Sequence, residues 1–162
     1  MSYRMLPLVA VLALPFTARP AGDAALDRAT LRGLTSLSVV VDPLDIPLVR
    51  QGVTPEMLRE RIERGLQAAR IKLDPNAKEF LGVRVTQVRA SKGPFAVCLN
   101  AGVYQPVLLA RDQKMRTATQ TWEVETVVLA DPKQLHEAMI ASLDELADRF
   151  VAAWKSVNPQ LL

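Results

Sequence analysis

The sequence predicts an α+β domain: a mostly antiparallel four-stranded sheet with two helices packed on one face, in the order β-α-β-β-β-α. Three observations predict it. Two segments carry apolar residues three or four apart, the spacing of an amphipathic helix. Four segments are β-branched or alternate apolar with polar residues, the pattern of strands. The last three of these are separated only by short polar turns, which join neighbouring strands antiparallel. Two amphipathic helices must bury their stripes, and one sheet face is the partner the chain offers. The 162 residues are 49% hydrophobic and 23% charged, as in an ordinary single globular domain.

The amino terminus is read first. Residues 1–24, "MSYRMLPLVAVLALPFTARPAGDA", have the form of a secretory signal. Arg4 supplies the positive end. Met5 to Phe16 form a 12-residue apolar run, short of the roughly 20 residues a bilayer span needs. A cut after Ala18 would leave bulky Phe16 at position −3, whereas a cut after Ala24 places Gly22 there. The expectation is a signal over 1–24 and one α+β domain over 25–162, located in the periplasm or secreted. An uncleaved segment is the alternative, and membrane contact is then expected through that segment alone.

The elements follow in order. "LTSLSVVVDPL" (Leu34 to Leu44) is a β-branched strand stopped by Asp42-Pro43. "TPEMLRERIERGLQAARI" (Thr54 to Ile71) is a helix with Thr54 as N-cap, Pro55 in its first turn, and Leu58, Ile62, Leu66 and Ala69 as its buried stripe. Gly65 beside that stripe costs helix propensity, which close packing onto the sheet would explain. "FLGVRVTQVRA" (Phe80 to Ala90) alternates, with Leu81, Val83 and Val85 on one side. "SKGP" turns the chain into a third strand, Phe95 to Ala110, and "RDQK" turns it into a fourth, Met115 to Leu129. The last helix is expected to begin at a capping arrangement of Asp131, Pro132 and Gln134. It carries an apolar face of Leu135, Met139, Leu143, Leu146, Phe150, Trp154 and Val157 and stops at Asn158-Pro159.

The third strand divides into two rows. Val97, Leu99, Ala101, Val103 and Val107 form the more apolar row, expected under the helices. Cys98, Asn100, Gly102, Tyr104 and Leu108 then face outward. Pro106 lacks a ladder donor, so an edge position or a bulge near Gln105-Pro106 is expected. Tyr104 and Leu108 are the residues assigned to a binding partner on this open side.

Several function classes find no support. The formal charge is only +3, and the basic residues are scattered rather than gathered on one face, so no nucleic-acid partner is expected. The single cysteine, Cys98, cannot form an intramolecular disulfide and sits in an apolar run, as a small buried hydrophobe would. The single histidine, His136, falls one step off the helix stripe with no second ligand at i+4. No metal, cofactor or catalytic residue is therefore assigned. The carboxylate pairs Asp42/Asp45 and Glu123/Glu125 are the material from which a hydrolase-like site would be built.

The succession "LRGLTSLSVVVDPL", "GVTPEMLRERIERGLQAARI", "FLGVRVTQVRA", "YQPVLLARD", "TATQTWEVE" and the closing "NP" resembles a family of small, uncharacterised exported bacterial proteins across nearly all of the mature chain. The chain departs from that family after Trp122, where "EVETVVLADP" is short and lacks glycine. At fold level the β-α-β order is similar to the amino-terminal domain of the Tol-system translocation protein and to the small lipoprotein of the lipopolysaccharide-assembly translocon. The resemblance implies binding to envelope partners and carries no catalytic motif. The expected function is a non-enzymatic binding or accessory module for an envelope protein. A carrier of a small apolar ligand between the sheet and the last helix is the alternative, and a carboxylate hydrolase the third reading.

Overall fold

The computed structural model describes residues 22–89 and 93–161. Most of the expected signal therefore lies outside the described residues. The elements are α1 (Ala25–Ala29), β1 (Ser36–Val41), α2 (Ile46–Arg50), α3 (Pro55–Ala68), β2 (Lys72–Leu73), β3 (Phe80–Arg89), β4 (Phe95–Leu109), β5 (Asp112–Ala130) and α4 (Leu135–Val157), closed by a 3-10 turn at Pro159–Leu161. They form one five-stranded mixed sheet in the order β2-β1-β3-β4-β5. β1 is parallel to both β2 and β3, while β3, β4 and β5 make an antiparallel meander.

The α+β class is as expected, and the expected four-stranded sheet with two helices is corrected in two respects. The fifth strand, β2, is only Lys72–Leu73, held against Ser36 and Leu37 of β1. Two residues carry no period, so this strand exists only through its partner. The additional helices α1 and α2 span five residues each, too short to nucleate without tertiary contacts.

The two long helices cover one sheet face, and the core lies between. Leu58, Ile62 and Leu66 of α3, and Leu135, Met139, Leu143, Leu146 and Phe150 of α4, are fully buried. They meet Leu81 and Val83 of β3, Val97, Leu99, Ala101 and Val103 of β4, and Trp122 and Val124 of β5. The row of β4 expected beneath the helices is there, except Val107, which is half-buried because β4 has by then outrun the helices. Trp122 meets Phe150 edge-on at 5.3 Å between ring centres.

Local chemistry explains the helix ends. The Thr54 hydroxyl accepts the Met57 N–H at 3.2 Å, the expected N-cap of α3. α3 ends at Ala68, before the expected Ile71, because Arg70 turns into the left-handed region at φ 62°. The Ile71 N–H then closes onto the Leu66 carbonyl at 3.0 Å, and Ile71 drops into the core. Gly65 faces α4 rather than the sheet: a Cβ there would lie 3.0 Å from that of Ala147. Arg61 and Asp144 pair across the same helix contact. α4 starts at Leu135 instead of at an Asp131 cap. Residues 132–134 form a separate turn in which the Gln134 N–H donates to the Asp131 carbonyl at 2.9 Å.

The far end of α4 is tied down by Asn158, the one buried polar residue of the core among the described residues. Its Nδ2 donates to the carbonyls of Leu31 and Trp154, both at 2.9 Å, and its Oδ1 accepts the Gly33 N–H at 2.7 Å. Trp154 Nε1 donates to the Leu34 carbonyl at 2.8 Å beside it. The Asn-Pro that stops the helix thus also anchors the loop leading into β1.

Candidate functional site

The sheet face opposite the helices has no covering layer among the described residues. Its composition is set by strand alternation: Phe80, Gly82, Arg84 and Thr86 from β3, the row Ala96 to Tyr104 from β4, and Glu123, Glu125, Val127 and Leu129 from β5. Gln120 joins this face through an irregularity. Val103 pairs with Trp122 but Tyr104 pairs with Gln120, which leaves Thr121 as an extra residue on β5. The bulge therefore lies on β5 opposite Val103–Tyr104, and not in β4 at Gln105-Pro106 as expected. It turns Gln120 outward beside Tyr104 while Trp122 stays in the core.

One end of the face is a polar network. The Tyr104 hydroxyl donates to Gln120 Oε1 at 3.1 Å, and Gln120 Nε2 donates to Glu123 Oε2 at 2.6 Å. Asn100 Nδ2 donates to the same Glu123 oxygen at 3.0 Å. Two glycines make room for it. A Cβ at Gly102 would fall 2.2 Å from Gln120 Nε2, and one at Gly82 would fall 2.9 Å from Tyr104 Cε2. The Tyr104 ring also stacks on Phe80 at 4.9 Å with planes 6° apart. Beside it lies a shallow cleft of about 270 Å³, lined by Val40, Asp42, Phe80, Gly82, Arg84 and Tyr104 among others. Arg84 Nε donates to Asp42 there at 2.9 Å.

The other end is apolar. Ala96 pairs with Leu129 and Cys98 with Val127, so these four side chains adjoin. Val127 is 68% and Leu129 73% exposed. Cys98 is half-buried on this face and not a core residue. Burial, together with the charge of nearby Glu125, pushes its thiol pKa up, so it is a weak nucleophile at neutral pH.

The residues singled out from the sequence are placed as follows. Tyr104 does lie on the outer face, but half-buried and hydrogen-bonded rather than open. Leu108 is 55% exposed, in the stretch of β4 that pairs with β5 alone beyond the last β3 partner, Phe80. Pro106 sits in that same two-stranded stretch, an edge location where one ladder side is free. Tyr104 and Leu108 are thus not one patch. Glu123 and Glu125 share the outer face, with Glu123 held by two amide donors and Glu125 exposed. Asp42 is engaged by Arg84, and Asp45 stands exposed before α2. His136 is exposed on α4.

Val127, Leu129, Asn100 and Gln120 were not legible as site residues. "ETVVLA" is apolar at consecutive positions, so only the pairing register reveals which of Val127 and Val128 faces outward. Among the described residues no group of three or more His, Cys, Asp or Glu is placed to hold a metal ion. Among them, too, no helix is long and apolar enough to cross a membrane.

No family model matches the chain, and no curated protein does. Among solved structures, the chain is similar to a dodecameric PelC variant from Paraburkholderia phytofirmans, with a TM-score of 0.41 and 12% identity over 73% of this chain and 85% of that one. It is also similar to a minor lipoprotein from Acinetobacter baumannii, with a TM-score of 0.38 and 11% identity over 75% of this chain and 93% of that one. At these values the likeness assigns no function.

Proposed function

We propose that this chain is an exported, non-enzymatic binding module of the bacterial envelope, and that the apolar end of its outer sheet face receives a protein partner. The observation that carries the reading is the exposure of Val127 and Leu129, at 68% and 73%, beside Ala96 and Cys98 on an uncovered sheet face. A solvated sheet face is ordinarily polar, and a contiguous exposed apolar patch marks an interaction surface. The export part of the reading rests on the charged and apolar segments of residues 1–24.

The two other readings have less support. The space between the sheet and α4, where an apolar ligand would sit, is occupied by Trp122, Phe150, Leu143 and Met139, all at most 1% exposed. The Glu123 carboxylate is held by Asn100 and Gln120 while Glu125 is exposed to solvent, so the two carboxylates do not converge on a shared enclosed site.

Site-specific photocrosslinking in intact cells tests the proposal. A crosslinker at position 127 or 129 should give one discrete protein adduct in the envelope, and one at exposed position 136 should give none. Val127→Glu should abolish the adduct formed from position 129 while leaving the melt unchanged. Equal, diffuse labelling from all three positions would remove the reading.

A further inference from the structure

We propose that the mature chain keeps Gly22 and Asp23, so that the export signal is cut amino-terminal to Gly22 and not at the Ala24–Ala25 bond. The inference rests on the export reading above. It starts from β5, an edge strand whose outer side would otherwise present bare backbone groups. Residues 22–30 lie along that side as a strap. The Glu123 N–H donates to the Gly22 carbonyl at 3.0 Å, and the Thr30 hydroxyl contacts the Thr121 carbonyl at 3.3 Å. From β4, Gln105 Nε2 donates to the Thr30 carbonyl at 3.0 Å.

Asp23 locks the strap to the core. Its side chain is only 9% exposed. One oxygen accepts Trp122 Nε1 at 2.8 Å and Arg28 Nε at 2.8 Å; the other accepts Arg28 Nη2 at 2.6 Å. Trp122 is 1% exposed and packs on Phe150, so its indole N–H reaches Asp23 from inside the fold. A buried donor stripped of its partner bears the full cost of its desolvation. Cutting at Ala24–Ala25 would strip the Trp122 indole and the Arg28 guanidinium together. It would also place a new α-ammonium on the first residue of α1, at the positive end of the helix dipole.

Gly22 has the same message. Its φ is +87°, and a Cβ there would fall 2.2 Å from Glu123 Cγ and 2.9 Å from the Glu123 carbonyl oxygen. A small residue at −3 would satisfy a signal peptidase, but it needs neither this backbone conformation nor this contact. The fold needs both. Upstream, Ala18 and Ala21 are the small residues available for −1, each with a bulkier residue at −3, Phe16 or Arg19, so the hold of the strap on the fold is set against the −3 preference that favours Ala24. A cut after Ala21 would put the new ammonium beside the Glu123 carboxylate, an opposite charge on the strand the strap already grips.

Intact-mass measurement and amino-terminal sequencing of the protein from the host envelope decide between the bonds. A first residue at Gly22 or upstream of it, with the leader gone, is expected. A first residue at Ala25 overturns the inference and leaves export standing. A chain that keeps Met1 in the cytoplasm overturns both. Independently, chains 22–162 and 25–162 are purified and melted. The shorter chain should melt at least roughly 5 °C lower, or fail to fold, given the degrees lost per lost interaction in a domain of this size. Asp23→Ala in chain 22–162 should reproduce most of the shift. Equal melts for all three would show that the strap holds nothing.

Discussion

Replacing Asn158 tests whether the carboxyl end of α4 is held by polar contacts or merely stops there. Asn158 is 0% exposed and makes three hydrogen bonds, to Leu31 O, Trp154 O and Gly33 N–H. Asn158→Leu keeps the branch at Cγ, with a somewhat larger side chain, and removes all three. Gly33 is exposed, so its N–H regains a water and counts for little. The Leu31 carbonyl also accepts the Leu34 N–H at 3.2 Å and keeps that bond. The Trp154 carbonyl belongs to the last turn of α4, which has no further helical donor, and is left without a partner. One orphaned buried carbonyl at about 1–3 kcal/mol, with the second bond to Leu31 lost besides and less what the leucine gains by burial, leaves a loss of about 2 kcal/mol. In a domain of this length that is a drop of roughly 6 °C in Tm. Asn158→Asp sharpens the test. It keeps an acceptor for Gly33 but turns a carboxylate toward two carbonyls. Its carboxyl should therefore titrate above the usual carboxylate range in the fold, so the penalty is full at neutral pH and shrinks as pH falls toward about 4. Urea denaturation followed by far-UV circular dichroism at neutral and acid pH measures both. A loss below about 1 kcal/mol for Asn158→Leu, or a neutral-pH Asp variant as stable as the parent, would refute the clamp.

Four further outcomes are expected. Leu143→Ala and Phe150→Ala, both at fully buried positions, should each cost about 2–5 kcal/mol in urea melts, whereas His136→Ala on the exposed side of α4 should cost less than about 0.5 kcal/mol. Arg70→Gly should stabilise by up to about 1 kcal/mol, because glycine takes the left-handed conformation that Arg70 holds at φ 62° without the side-chain penalty; a loss of stability would mean that the Arg70 side chain matters more than its backbone. Burial pushes the Asp23 carboxyl up, but hydrogen bonds from Arg28 and Trp122 and the charges of Arg28 and Arg149 outweigh it, so it sits below its ordinary value of 3.8. The parent should then exceed Asp23→Asn in stability by a margin that is constant above that value and disappears as pH falls below it, as chemical melts across the acid range will show. Cys98, with its pKa raised, should alkylate slowly at neutral pH and accelerate only above the ordinary thiol range, readable by mass shift with iodoacetamide.

What the sequence discloses and what it hides divide along one physical line. Period-two alternation and period-3.6 stripes are written within a single element, and they placed β3, β4, β5, α3 and α4 and the inward row Val97 to Val103. Thr54 and Pro55 announced the start of α3 because a cap is a contact between residues three apart. What failed was whatever depends on a distant partner. β2 is two residues long and exists because β1 offers an edge to Lys72–Leu73. Gly65 was read against the sheet, but the surface that approaches it belongs to Ala147, which only the α3–α4 crossing brings near. The bulge was sought at Pro106, where a missing donor is visible in the letters; the ladder instead absorbs its extra residue at Thr121, across the strand pair. That displacement decides the polar end of the outer face. With no bulge, Gln120 would share a row with Trp122 and point inward, and Tyr104 and Glu123 would lose the amide that joins them. The exposed pair Val127 and Leu129 follows instead from the unbroken ladder on the other side of the bulge, since "TVVLA" gives no preference for either face until its partners Cys98 and Ala96 are known. The polar network and the apolar patch are therefore set by two stretches of one strand pair. A change that removes the Thr121 bulge while Trp122 stays in the core should disturb the network alone, whereas substitutions at Val127 or Leu129 should alter the patch alone.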